Sequence, residues 1–266
     1  MAARRQIRVG RKAGSKCPSF PGFLNVLCLT PSTPYGDIGP YGLKDGKGRI
    51  MENLYQGAKV YQRTPDVKLR YSQWDATIIW ERNAETHVIS ECDLPDDFDE
   101  LGYVELTNKV PGIEGAAFLT PEYFQWRKDL MECPYPVRYP VGMKHRKECI
   151  GIIPEEQLSS GIMPMLSYIE GRKQVYVPIY QSLVLGAPKF KKLLDLYKNK
   201  DILIIEVDGP HQESLDYYKL KYGVGDDFIV GDTILCTPKN LEIMLNDSKH
   251  PYGHGYALAD LILKST

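Results

Sequence analysis

The chain has 266 residues, 43% hydrophobic and 25% charged, the balance of a folded globular protein and not of a disordered or fibrous one. Its formal net charge is -1, so no global field draws it to nucleic acid or to a membrane surface. No apolar run of membrane-spanning length and no signal peptide is visible. The six cysteines, at positions 17, 28, 92, 133, 149 and 236, include no Cys-x-x-Cys pair, which argues against a zinc ribbon. The thiols read as reduced and the protein as cytoplasmic, with no membrane partner.

Residues 1 to 16 carry Arg4, Arg5, Arg8, Arg11, Lys12 and Lys16 and no acid. They read as a basic arm, either for phosphates or as a solvated, poorly ordered terminus. Residues 17 to 266 read as a single domain. Residues 23 to 29 read as a short buried strand. Pro31, Pro34, Gly36, Gly39, Pro40, Gly42, Gly46 and Gly48 then break the chain into a long loop. A loop of that length inside a folded domain is usually functional or mobile.

The helical pattern that follows, over residues 51 to 61, places Glu52, Gln56 and Lys59 on one face and Met51, Leu54, Ala58 and Tyr61 opposite. A carboxylate, an amide and an amine presented together can hold a sugar and handle a proton. Judged on spacing alone, the stripe reads as a solvated face, because amphipathic helices are common.

Residues 66 to 90 mix Trp74, Ile78, Ile79 and Trp80 with charges and are ambiguous. Residues 91 to 105 carry seven acids and no base and read as an acidic loop, without the spacing of a hard-cation site. Residues 121 to 131 read as a helix begun by proline. Residues 162 to 173 read as a helix ended by Gly171, and residues 174 to 180 as an extended segment with Pro178 at an edge. A helix over 188 to 198 precedes the clearest strand, residues 201 to 207, a β-branched run buried on both faces. Short helices follow at 214 to 222 and at 237 to 247, the latter with Thr237 as N-cap and Pro238 at N1. The fold expected is α+β or α/β, helix-rich, with a small central sheet.

The polar stripe resembles a stretch of the NADAR superfamily, Glu-His-Tyr-x-Gln-Ala-x-Lys. Glu52, Gln56 and Lys59 match it, and Asn53 and Leu54 replace the His and Tyr. The last residues, 250 to 266, resemble that family's C-terminal helix, Asn-x-Leu-Gly-x-x-Leu-Met. Leu258, Ala259, Leu261, Ile262 and Leu263 match in kind, while Tyr256 stands where Asn is usual. The chain also resembles a group of NADAR-like proteins of phages and bacteria with a similar helix and an Arg-Lys-x-x-Tyr-x-Pro segment.

The resemblance implies a NADAR-like fold and a hydrolase, an N-glycosidase acting on a ribosyl or ADP-ribosyl bond to a base or related heterocycle. The alternatives are a sugar or base transferase in nucleotide metabolism or phage DNA-base modification, and a non-catalytic sensor of an ADP-ribose-like ligand. Partners would be a nucleotide or ADP-ribose-like substrate, or modified nucleic acid. Glu52 is the candidate that stabilises an oxocarbenium-like state and activates water. Lys59 can bind phosphate, or act as the Schiff-base lysine that the resemblance implies. His254 is a candidate proton shuttle.

For substrate binding, Gln56 would orient a hydroxyl or the base, Asp37 would hold a ribose hydroxyl, and amides around Gly36 and Gly39 would cradle phosphate. The Gly253–Gly255 turn opens the last helix, where backbone N–H groups favour an anion. Arg172 and Lys173 can contact a pyrophosphate while Tyr176 stacks on a base. The sequence offers no metal-ligand set and calls for no cofactor.

Overall fold

A computed structural model describes residues 5–70, 79–158 and 162–266. The fold is mixed α/β with small sheets. The chain divides into two compact units, Met1–Leu43 with Val177–Thr266, and Lys44–Tyr176. The helices are α1 (Met51–Gly57), α2 (Phe98–Leu101), α3 (Pro121–Glu132), α4 (Tyr168–Gly171), α5 (Val177–Leu185), α6 (Pro188–Tyr197), α7 (Leu215–Tyr222), α8 (Pro238–Asn246) and α9 (His254–Lys264). Trp74 and Ile78, in the ambiguous stretch, lie outside the described residues.

The first unit is built on a four-stranded sheet. Ile7–Arg11 and Asp201–Glu206 run parallel at its centre, Phe23–Leu27 pairs parallel with Asp201–Glu206, and Thr233–Leu235 pairs antiparallel with Ile7–Arg11. Ile202, Leu203, Ile204 and Ile205 are fully buried, as expected for a central parallel strand covered on both faces. Helix α9 packs on the two central strands, and α5 and α8 pack on α9.

The basic arm is corrected by this sheet. Ile7–Arg11 is an inner strand, with Ile7 and Val9 fully buried. Arg8 is buried as well: its Nε donates to Thr233 Oγ1 at 2.7 Å, and its guanidinium carbon lies 4.0 Å from the centre of the Phe20 ring. Arg11 Nη1 donates to the Gly209 carbonyl. Arg8 and Arg11 therefore serve the sheet and its neighbouring turn, because arginine can bury its stem once its head is hydrogen-bonded.

The second unit holds a four-stranded sheet in the order Ile162–Met163, Val104–Leu106, Ala117–Leu119, Val88–Ser90. Three two-stranded pairings accompany it, joining Lys59–Tyr61 to Cys149–Ile152, Arg63–Thr64 to Glu85–Thr86, and Val67–Arg70 to Ile79–Arg82. Tyr61, Val88, Leu119, Tyr123, Trp126, Leu130 and Ile153 form part of one core. Helix α3 supplies three of these side chains; Thr120 caps it by accepting from Tyr123 N–H, and Pro121 opens it. Helices α1 and α3 lie so close that a Cβ on Gly57 would come within 2.7 Å of Met131 Cγ.

Residues 162 to 180 depart from the reading of helix then extended segment. Ile162–Met163 is a strand, and α4 begins at Tyr168 behind a capping box of Ser167 and Glu170. Arg172–Tyr176 is a π-helical turn, and Pro178 sits inside α5. A widened turn just before a proline relieves its missing N–H and the clash of its ring with the preceding turn.

Candidate functional site

Helix α1 is shorter than the polar stripe suggested. It ends at Gly57, and Lys59 is the first residue of the next strand. The stripe does not face water either, since all seven helix residues are buried. Asn53 is the reason the helix is held on that side. Its Nδ2 donates to the carbonyls of Cys133 and Tyr135 at 2.9 and 2.7 Å, and its Oδ1 accepts from Val137 N–H at 2.6 Å.

Glu52, Gln56 and Lys59 are each 8% exposed. They form one hydrogen-bonded chain: Lys59 Nζ donates to Gln56 Oε1 at 2.8 Å, and Gln56 Nε2 donates to Glu52 Oε1 at 2.8 Å. Although Lys59 has left the helix, its amine folds back onto the same face. The amide thus links a carboxylate to an ammonium, which offsets part of the cost of taking both out of water.

Aromatic side chains surround this chain. Lys59 Nζ lies 5.0 Å from the centre of the Tyr55 ring, and the Tyr55 and Tyr176 rings meet edge to face at 4.8 Å. Arg172 is buried, with its guanidinium 5.2 Å from the Tyr168 ring. Burial lifts the Tyr55 phenol well above its ordinary range; Tyr168 and Cys149 add to this and Arg172 opposes it. Burial also raises the Cys149 thiol, against the pull of Lys59. Five residues singled out in the sequence, Glu52, Gln56, Lys59, Arg172 and Tyr176, therefore gather in the second unit, with Tyr55, Tyr168 and Cys149 as neighbours that the spacing did not flag. Lys173 is exposed, while Arg172 beside it is buried.

The remaining candidates belong to the first unit and behave differently. The Gly36 and Gly39 amides do not cradle a phosphate: they donate to the carbonyls of Thr33 and Gly36. Gly39 is needed for packing, because a Cβ there would come 2.2 Å from the Cys28 carbonyl oxygen. Asp37 is half exposed and pairs with Lys189 Nζ at 3.3 Å on the surface.

The Gly253–Gly255 turn does bind an anion, and that anion is Glu206. Gly255 N–H donates to Glu206 Oε2 at 2.7 Å, while Val207 N–H donates to Oε1 at 2.7 Å. A Cβ on Gly253 would come 2.3 Å from the same carboxyl group. The anion position at the start of α9 is thus filled from within.

His254 Nδ1 lies 3.0 Å from Glu206 Oε2, and its Nε2 lies 3.3 Å from Cys28 Sγ. Burial alone would lower the imidazole pKa; Glu206 and the Cys28 sulfur outweigh it and raise it to about 10. The imidazole bridges the Glu206 carboxylate and the Cys28 sulfur and so ties α9 to the sheet. Glu206 and Cys28 were missed in the sequence. The available signal was an acid at the end of an otherwise apolar strand.

Among the described residues, no group of three or more His, Cys, Asp or Glu is arranged to hold a metal ion. None of the helices described is long and apolar enough to cross a membrane. No protein-family model, no curated protein and no solved structure matches the chain.

Proposed function

We infer that the Lys44–Tyr176 unit is an N-glycosidase of NADAR-like type, hydrolysing a ribosyl or ADP-ribosyl bond to a base or related heterocycle. The observation that carries this reading is the buried Glu52–Gln56–Lys59 chain, with both its hydrogen bonds at 2.8 Å. A carboxylate and an ammonium kept out of water are costly, and such groups concentrate where a ligand completes their surroundings. The residues concerned carry the first of the two stretches on which the resemblance to the NADAR superfamily rests.

Each residue has a part. The Glu52 carboxylate opposes the positive charge that develops at the sugar's anomeric carbon, and takes a proton from the attacking water. The carbon–nitrogen bond breaks with its electron pair going to the heterocycle, which takes up the proton that Glu52 has drawn from the water. A carbon–oxygen bond to water replaces it. Gln56 holds Glu52 in place by its amide N–H and holds Lys59 by its carbonyl. Lys59 and Arg172 supply positive charge for a phosphate or pyrophosphate. Tyr55 and Tyr176 offer ring surface to a ribose or a base.

Purified protein incubated with ADP-ribosylated guanosine, with free nucleosides and with modified DNA tests the reading. Release of the heterocycle with one water taken up supports it. A sugar moved to another acceptor makes the protein a transferase. Tight binding with no turnover, unaffected by Glu52→Gln, makes it a sensor of an ADP-ribose-like ligand.

A further inference from the structure

A second constellation lies in the other unit and has no part in the glycosidase reading. Ser214 Oγ lies 3.0 Å from His250 Nε2, and His250 Nδ1 lies 2.7 Å from Asp247 Oδ2. A hydroxyl, an imidazole and a buried carboxylate stand in the order needed to activate an oxygen nucleophile. We propose that Ser214, His250 and Asp247 form a second catalytic centre, a serine esterase site for small esters.

The geometry supports this from three sides. Asp247 is fully buried and collects donors: Tyr217 OH at 2.6 Å, Tyr218 OH at 2.5 Å, and the backbone N–H groups of Lys249 at 3.1 Å and His250 at 3.2 Å. Burial would raise its pKa, but the Tyr217, Tyr218 and His250 hydrogen bonds prevail and hold it at about 2. A carboxylate kept charged accepts a hydrogen bond from His250 Nδ1–H. The Nε2 lone pair is then left facing the Ser214 hydroxyl, which is the tautomer a general base needs.

The His250 ring is fixed as well. It stacks on Tyr218, with centroids 5.4 Å apart and planes 20° from parallel. Ser214 occupies the N-cap of α7 yet makes no capping hydrogen bond, so its hydroxyl is not committed to the helix. Ser214 is half-buried rather than sealed in the core. Two ammonium groups stand beside the triad. Lys249 Nζ lies 4.3 Å from the Tyr217 ring centre, and Lys221 Nζ donates to Tyr217 OH at 2.9 Å and to Ser248 Oγ at 3.3 Å.

In the reaction, Ser214 Oγ adds to the ester carbonyl carbon while its proton passes to His250 Nε2. The tetrahedral adduct collapses, the alcohol leaves with that proton, and an acyl ester remains on Ser214. Water then adds to the acyl carbon, giving its proton to His250. The acid departs, and Ser214 recovers its proton.

The test is labelling of the intact chain with a fluorophosphonate, read by peptide mass spectrometry, together with hydrolysis of p-nitrophenyl acetate. A phosphonyl adduct on Ser214 is expected in the folded protein and not in a urea-denatured sample. Ser214→Ala should abolish both the adduct and the ester hydrolysis. Asp247→Asn should slow labelling by at least about a hundredfold, as wrong-tautomer substitutions do. Because Asp247→Asn removes a buried anchor, the folded wild-type against denatured comparison stands independently of it. No adduct on Ser214 in the folded chain, or equal labelling after denaturation, overturns the proposal.

Discussion

Gly255 N–H donates to Glu206 Oε2 at 2.7 Å, so the end of the central strand caps the start of α9. The anion site that the Gly-His-Gly turn advertises is therefore a joint between strand and helix. Gly253 is required there for space, and His254 adds an ion pair to the same carboxylate.

Glu206→Gln should be strongly destabilising. It keeps the shape but leaves His254 without its counter-charge in a buried site, and breaking such a pair from one side costs about 3–5 kcal/mol. Urea titration of the wild type and the variant measures it. A loss under 1 kcal/mol would show that the joint contributes little.

The same pair makes stability depend on pH. The folded His254 pKa, about 10, lies above the ordinary 6.5. Its contribution is thus complete below pH 6.5 and is lost as pH rises through about 10. Each unit of that span removes at most about 1.4 kcal/mol. Urea midpoints from pH 6 to pH 10 should fall in the wild type and stay flatter in His254→Asn. Parallel profiles for the two proteins would contradict the assignment.

Asn53 holds α1 to the segment carrying Cys133, Tyr135 and Val137 through three hydrogen bonds. Asn53→Leu fills similar space but strands two carbonyls and one N–H, each worth about 1–3 kcal/mol when buried and unpaired. The variant should unfold at markedly lower urea, and ligand binding at the α1 site should weaken with it. An unchanged midpoint would mean that water replaces the side chain.

Much of this fold was legible from local rules. The strand at 201 to 206 announced itself by four consecutive aliphatics, α3 by its opening proline, and α8 by a threonine cap followed by proline. The first strand was hidden because its two aliphatics, Ile7 and Val9, sit among two arginines of their own strand and further cations on either side. Arg8 is buried against Thr233 and the Phe20 ring, and the half-buried Arg11 is held by the Gly209 carbonyl. For the candidate site, the register of Glu52 and Gln56 was readable, and the burial of the whole helix was not. An amphipathic pattern does not say whether its polar face meets water or other protein. Glu206 escaped notice because its role depends on a turn some fifty residues further along the chain.

Lys59 donates to Gln56 rather than directly to Glu52. Its role in the account is to hold negative charge on the substrate. Lys59→Met should therefore raise KM at least about tenfold with a smaller change in kcat, the pattern of lost uniform binding. Lys59→Arg should recover part of the affinity. Borohydride added during turnover should trap no adduct. A trapped lysine adduct at position 59 would instead assign it the imine chemistry.

The most direct measurement is turnover by Glu52→Gln on the substrate released by the wild type, with binding followed in parallel. Glutamine can still accept from Gln56 Nε2 through its own carbonyl, so the hydrogen-bonded chain and ligand affinity should persist. The charge that opposes the oxocarbenium ion and draws a proton from water is gone, and turnover should fall by about a hundredfold or more. Near-normal turnover in a folded Glu52→Gln protein would contradict the account.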